Sequence, residues 1–190
     1  MHHRRSIRLP DYDYAANGAY FITICTHIKA YLFGDIVDGV MNMNAWGQIV
    51  EEEWQKTGLQ RPYIELDAFV VMPNHFHAIL IIDHASNDAT RRGMMHHAPA
   101  KTLPSQTNHE ATSQARQFSK PLPESLGSIV GTFKAAVTRN INRLRTDISP
   151  IWQRNYYEHI IRDNERYEFI RAYIETNLQR WAEDSLYKST

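Results

Sequence analysis

The spacing of apolar residues changes several times along the chain. In GAYFITICTH, Tyr20, Ile22 and Ile24 alternate with Phe21, Thr23 and Cys25. This two-residue period, rich in β-branched side chains, predicts a strand. AYLFGDI predicts a second strand joined to it as a hairpin, and Asp35 to Asn44 a further extended piece. The period then lengthens: Trp46, Ile49, Val50 and Trp54 recur at helical spacing, with Asn44 as N-cap and Gly58 as terminator. After Arg61-Pro62, IELDAFVVMP and HFHAILIID predict two more strands around a Pro73-Asn74 turn. Periodicity is lost from His84 to about Glu124, where Ser, Asn, Thr, His, Ala and Pro dominate. A stretch this long without a pattern predicts a flexible insertion or lid at about 84–122, which also holds His96 and His97. Order resumes in SLGSIVGTFKAAVTRNINRLR, where Ile129, Phe133, Val137, Ile141 and Leu144 form one stripe. The aromatic and basic segment ISPIWQRNYYEHIIR follows. A last helix is predicted from near Asp163 through ERYEFIRAYIETNLQRWAEDSLY.

Composition narrows the function classes. With 190 residues, one domain with a sizeable core is expected. Lys and Arg, 21 together, balance 21 Asp and Glu, so a nucleic-acid partner would have to meet a local basic patch. No apolar run is long enough for a transmembrane helix, and the N-terminus MHHRRSIRLPDYDY lacks the apolar stretch of a secretory signal. Cys25 is the single cysteine, which rules out an intrachain disulfide and a cysteine-based zinc site. The expected compartment is the cytoplasm.

The chemistry centres on VVMPNHFHAILII, where His75 and His77 interrupt an apolar strand. Residues two apart on a strand share a face, so the two imidazoles stand side by side with Ile79 and Ile81. Phe76, Ala78, Leu80 and Ile82 take the other face. Two such rings can share a divalent cation, including magnesium or manganese when oxygen ligands complete the site. Alone, the pair also fits two half-exposed histidines at a strand start, so a third ligand and a nucleophile are needed. In the last helix Tyr173 and Asn177 are four apart, hence on one face. They offer a phenol and an amide oxygen.

The segments MPNHFHAILII, LGSIVGTFKAAVTRNIN, IWQRNYYEHIIRD and YIETN, in this order and spacing, resemble the successive motifs of the REP-associated tyrosine transposases. These belong to the HUH single-tyrosine transposase superfamily. RRSIRLPDYDYAANGAYFITICT is similar to that family's opening, and the resemblance spans the chain except for about 84–122. It implies an α+β fold of ferredoxin-like or RNA-recognition-like plan. A central antiparallel sheet would carry the His-x-His strand near its middle, with helices packed on one side. It also implies that His75 and His77 are metal ligands, Tyr173 is the nucleophile and Asn177 completes the metal site. One departure stands out. The family continues Asn-Pro, and this chain has Asn177-Leu178, so the helix is expected to run on toward Trp181 and displace Asn177.

The implied reaction is metal-dependent cleavage and rejoining of single-stranded, hairpin-forming DNA through a 5′-phosphotyrosine, with Mg²⁺ or Mn²⁺ as cofactor. Tyr156, Tyr157 and Tyr167 are rival nucleophiles, and His159 or a water is the proton acceptor for the phenol. The residues expected to contact the DNA backbone are Arg4, Arg5, Arg8, Lys134, Arg139, Arg143, Arg154 and Arg162, with Trp152 and Tyr156 stacking on unpaired bases. A monomer acting in cis is favoured over a dimer. Two other readings compete: a hairpin-binding protein without catalysis, and a hydrolase pairing the histidines with Asp67 or Asp83 and using water as nucleophile.

Overall fold

The computed structural model describes residues 12–84 and 122–187. Arg4, Arg5, Arg8, His96, His97 and nearly all of the insertion expected at 84–122 lie outside these residues. In chain order the elements are β1 (Gly18–Cys25), β2 (Gly34–Val37), β3 (Val40–Met43), α1 (Ala45–Leu59), β4 (Ile64–Met72), β5 (His75–Ile82), α2 (Leu126–Asn142), β6 (Tyr157–Ile161) and α3 (Asn164–Thr176). The architecture is α+β. Four strands form an antiparallel sheet in the order β4-β5-β1-β6, so β5, the His-x-His strand, lies near the middle as expected, beside β1. Among the described residues, no helix is long and apolar enough to cross a membrane.

Alternation within β1 and β5 builds two different layers. Tyr20, Ile22, Ile24, Phe76, Ala78, Leu80 and Ile82 face α1 and α2 and are fully buried with Val50, Trp54, Ile129, Phe133 and Val137. Trp54, Phe76 and Phe133 lock this layer, with ring centroids 5.0, 5.2 and 5.4 Å apart. The opposite face is smaller: Phe21, Ile79 and Ile161 pack against Ile170 and Ile174 of α3. The helices therefore cover both faces of the sheet, where one face was expected. A helix's own period shows that it has an apolar stripe, but not which side of a sheet the stripe meets.

Local expectations hold in part. The Asn44 side chain caps α1, accepting from the Trp46 and Gly47 amides. Gly58 does not end α1. It lies inside the helix, where a Cβ would come within 2.8 Å of Leu66, so glycine there permits close packing on β4. The AYLFGDI segment does not form a hairpin with β1. Its strand, β2, pairs with β3 in a separate two-stranded sheet. Leu144 falls beyond the end of α2 and is 61% exposed, off the buried stripe. The last helix also stops early. α3 ends at Thr176 with Asn177 as C-cap, and turns lead into a short 3-10 helix, Trp181–Glu183.

Candidate active site

The site lies on the α3 face of the sheet, where β5 begins. His75 and His77 are 0% and 3% exposed, and their ring centroids are 4.5 Å apart. Full burial of two adjacent histidines is costly unless their nitrogens are used. Asn74 fixes the first ring. Its amide nitrogen donates to the Leu186 carbonyl at 2.8 Å, which leaves its oxygen to accept from His75 Nδ1, also at 2.8 Å. His75 Nε2 is then a lone pair turned into the site, and it finds no hydrogen-bond partner in the protein. His77 stacks on Phe21, with centroids 5.3 Å apart, and its Nδ1 meets the Thr23 hydroxyl at 2.8 Å. Burial holds both rings neutral. It lowers His75 to about 3 with help from Lys29, and His77 well below its ordinary value with help from His75.

α3 brings the other two expected residues to the same place. The Tyr173 hydroxyl lies 3.4 Å from His77 Nε2. Asn177, 3% exposed, directs its amide toward the site, and its side-chain oxygen is a second buried polar atom with no protein partner. Leu178 does not carry the helix onward, so Asn177 keeps its place one turn after Tyr173. The orphaned His75 Nε2 beside the neutral imidazole of His77, with the unpartnered Asn177 oxygen on the same side of α3 as Tyr173, offers nitrogen and oxygen ligands that suit a divalent cation. Burial, followed by the nearby Asp184 charge, raises Tyr173 above the ordinary phenol value.

Asp184 joins the site without having been expected there. It follows the 3-10 helix, and its side chain is 5% exposed. Its Oδ2 is 3.9 Å from His75 Nε2 and 3.5 Å from both the Tyr173 hydroxyl and Asn177 Nδ2. His75, His77 and Asp184 each offer an atom within 4.8 Å of the others. The segment is anchored twice: Oδ1 accepts from the Leu186 amide at 2.6 Å, and Trp181 packs on His75 with centroids 5.9 Å apart. No periodic signal marks this aspartate, because it sits in a turn. The Trp181-x-x-Asp184 spacing gains meaning only once Trp181 is known to cover His75.

The other expected residues lie elsewhere. Asp67 accepts from the Tyr167 hydroxyl and lies 3.9 Å from Arg171, while Asp83 accepts from Asn17 at 3.1 Å. Neither carboxylate stands beside the histidine pair. Tyr157 is 48% exposed with its ring against Phe21, and Tyr156 packs on the larger core. His159 lines a separate cleft with Arg162, Arg166 and Phe169. Its pKa is lowered by burial and by the two arginines. Trp152 is 8% exposed, held between Phe33 and Phe133, so it is a core residue and not an open stacking platform. The Lys134 ammonium donates to the Gln153 and Arg154 carbonyls at 2.7 and 3.1 Å, and burial lowers its pKa to about 8. Arg139, Arg143, Arg154 and Arg162 are exposed. Arg139 and Arg143 belong to α2 and its C-cap, on the face of the sheet away from the histidines.

Comparison with known proteins places this geometry in context. The chain is 40% identical over 188 residues to an uncharacterized protein of Haemophilus influenzae, covering 98% of this chain and 94% of that one. The two belong to one family. No known family profile matches the chain. A solved REP-associated tyrosine transposase, bound to a REP hairpin, superimposes with a TM-score of 0.55 over 95% of this chain and 74% of that one. At 18% identity the likeness is one of fold.

Proposed function

We propose that this protein cleaves and rejoins single-stranded DNA at hairpin-forming repeats, with Tyr173 as nucleophile and Mg²⁺ or Mn²⁺ held by His75, His77 and Asn177. One observation carries the reading. The buried His75 Nε2 has no protein partner, His77 Nε2 lies 3.4 Å from the Tyr173 hydroxyl, and the side chain of Asn177, whose oxygen is also unpartnered, reaches the same place through Asp184, in a fold shared with a tyrosine transposase. A bound divalent ion would supply Lewis-acid polarisation of the scissile phosphate.

The chain's own groups account for the remaining steps. Thr23 and Asn74 hold the two rings in place. Buried and beside a carboxylate, Tyr173 is protonated at neutral pH, so attack needs a proton acceptor. Asp184 Oδ2, 3.5 Å from the hydroxyl, fills that role; His159, in its separate cleft, does not. The phenol oxygen forms a bond to phosphorus as the bond to the 3′-oxygen breaks. The Tyr173 proton passes to Asp184, and the leaving 3′-oxygen takes it up. The 5′-phosphotyrosine retains the bond energy, so a 3′-hydroxyl can reverse the step without ATP.

The test is incubation of labelled hairpin oligonucleotides from repeats flanking the gene with protein and Mg²⁺ or Mn²⁺. A denaturant-stable protein–DNA adduct is expected, absent in Tyr173→Phe. Cleavage without an adduct would favour the hydrolase. Hairpin binding without cleavage would favour a purely binding protein.

A further inference from the structure

Beside this site the chain adopts a conformation that local sequence preference opposes. β1 ends at Cys25, paired with His75, and the chain then makes the short turn His27–Lys29. Ile28 has φ 52° and ψ 17°, and Lys29 has φ 56°. The left-handed region is disfavoured for L-residues, and for a β-branched side chain it is a true outlier. Among the described residues, Ile28 is the one β-branched residue with positive φ. Burial does not compensate for it, since Ile28 is 69% exposed.

The surroundings hold the turn in this shape. The His27 amide donates to the Ile151 carbonyl at 2.8 Å. The Thr26 hydroxyl lies 2.7 Å from the Ala30 carbonyl and 2.9 Å from that of Asn74. The Leu32 and Phe33 amides both reach the Pro73 carbonyl. The turn is thus tied to the Pro73-Asn74 corner, whose Asn74 side chain orients His75. The result is a braced apolar tip, flanked by exposed His27 and by Lys29, whose charge is felt at His75.

We infer that Ile28 is a wedge that enters the base stack of single-stranded DNA and holds the bases next to the scissile phosphate apart. This rests on the DNA reading proposed above. An apolar side chain inserted between base steps, with cations alongside for phosphates, is a recurrent way to unstack nucleic acid. Backbone strain maintained by surrounding contacts is typical of functional segments. In-line attack is favoured on a phosphate splayed away from a stacked strand, and the turn is tied to Asn74, the neighbour of His75.

The test uses Tyr173→Phe as parent, so that DNA binds without being cut. Hairpin oligonucleotides carry 2-aminopurine at successive positions of the single-stranded flank. Binding is followed by anisotropy and unstacking by fluorescence. The parent is expected to brighten the probe several-fold at one or two adjacent positions. Adding Ile28→Gly is expected to abolish that rise and weaken binding about tenfold, in the range of lost base stacking. Its melting temperature should equal or exceed the parent's, because glycine tolerates the left-handed conformation. Ile28→Ala should lose the rise while keeping the backbone strain. Brightening that persists in both variants overturns the wedge, as does a fall in the melting temperature of Ile28→Gly, which would make the turn structural. A parent that leaves anisotropy unchanged overturns the DNA reading itself, and the wedge with it.

Discussion

Phe76 and His77 are consecutive residues of one strand with opposite surroundings. Phe76 is buried in a dry layer between Trp54 and Phe133. His77 is almost as deeply buried, but it faces a hydroxyl, a second imidazole and a carboxylate. The α1/α2 face uses its burial for packing, and the α3 face gives part of its burial to polar groups. One rigid strand can thus carry both the core and the chemistry. The orphaned His75 Nε2 and Asn177 Oδ1 belong to the second face, where no protein group compensates their desolvation.

This contrast can be broken from either side. The largest effect is expected in the dry layer. Phe76→Ala should cost about 3–5 kcal/mol in urea unfolding. Tyr173→Phe removes a half-buried hydroxyl with only long contacts, so it should shift stability by less than about 1 kcal/mol. Equal losses would mean that the α3 face is also mainly a packing layer. Next, Asp184→Asn should slow adduct formation by about 10²- to 10⁴-fold, the usual contribution of a positioned base. Mn²⁺ affinity measured by calorimetry should change little. A large loss of Mn²⁺ affinity would instead make Asp184 a ligand.

On the acid side of neutrality a pH dependence is expected from the histidine pair of the α3 face. Both histidines have folded-state pKa values below the ordinary 6.5, with His75 at about 3. Their neutral forms therefore contribute full stability above pH 6.5, and that contribution is lost as pH falls toward the folded values. In metal-free protein both histidines should contribute to this loss as pH falls below 6.5. Urea midpoints measured between about pH 7 and about pH 4.5, a window that spans this loss, should fall more steeply than in a His77→Gln variant. Parallel curves would contradict the neutral pair. The smallest effect concerns α2. Neutralising Arg139 and Arg143 together should reduce the log–log salt slope of DNA binding by about one unit for each phosphate that these side chains neutralise. An unchanged slope would remove this helix from the interface.

The two faces were unequally legible in the sequence. Strict alternation displayed β1 and β5, and the His-x-His spacing alone placed both rings on one side of the strand. The i, i+4 relation likewise put Tyr173 and Asn177 together. Other features depend on tertiary contacts. The side of the sheet that α3 covers follows from Ile170 and Ile174 meeting Phe21, Ile79 and Ile161, and the return of Asp184 to His75 from the contacts of Trp181 with His75 and of Leu186 with Asn74, all between residues far apart in sequence. Lys134 and Trp152 looked available because their residue types favour nucleic acid. Their actual partners are backbone carbonyls and core rings. Both extended pieces, AYLFGDI and Asp35 to Asn44, are legible, but not that β2 pairs with β3 and not with β1, because strands this short carry almost no signal of their partner.

The central claim is that the α3 face arms one tyrosine. The most direct measurement is to trap the covalent adduct on a hairpin oligonucleotide, digest it, and map the nucleotide-bearing peptide by mass spectrometry. The account predicts a 5′-phosphodiester on Tyr173 alone. An adduct on Tyr156, Tyr157 or Tyr167 would contradict it, because that phosphate would have been attacked from outside the histidine pair.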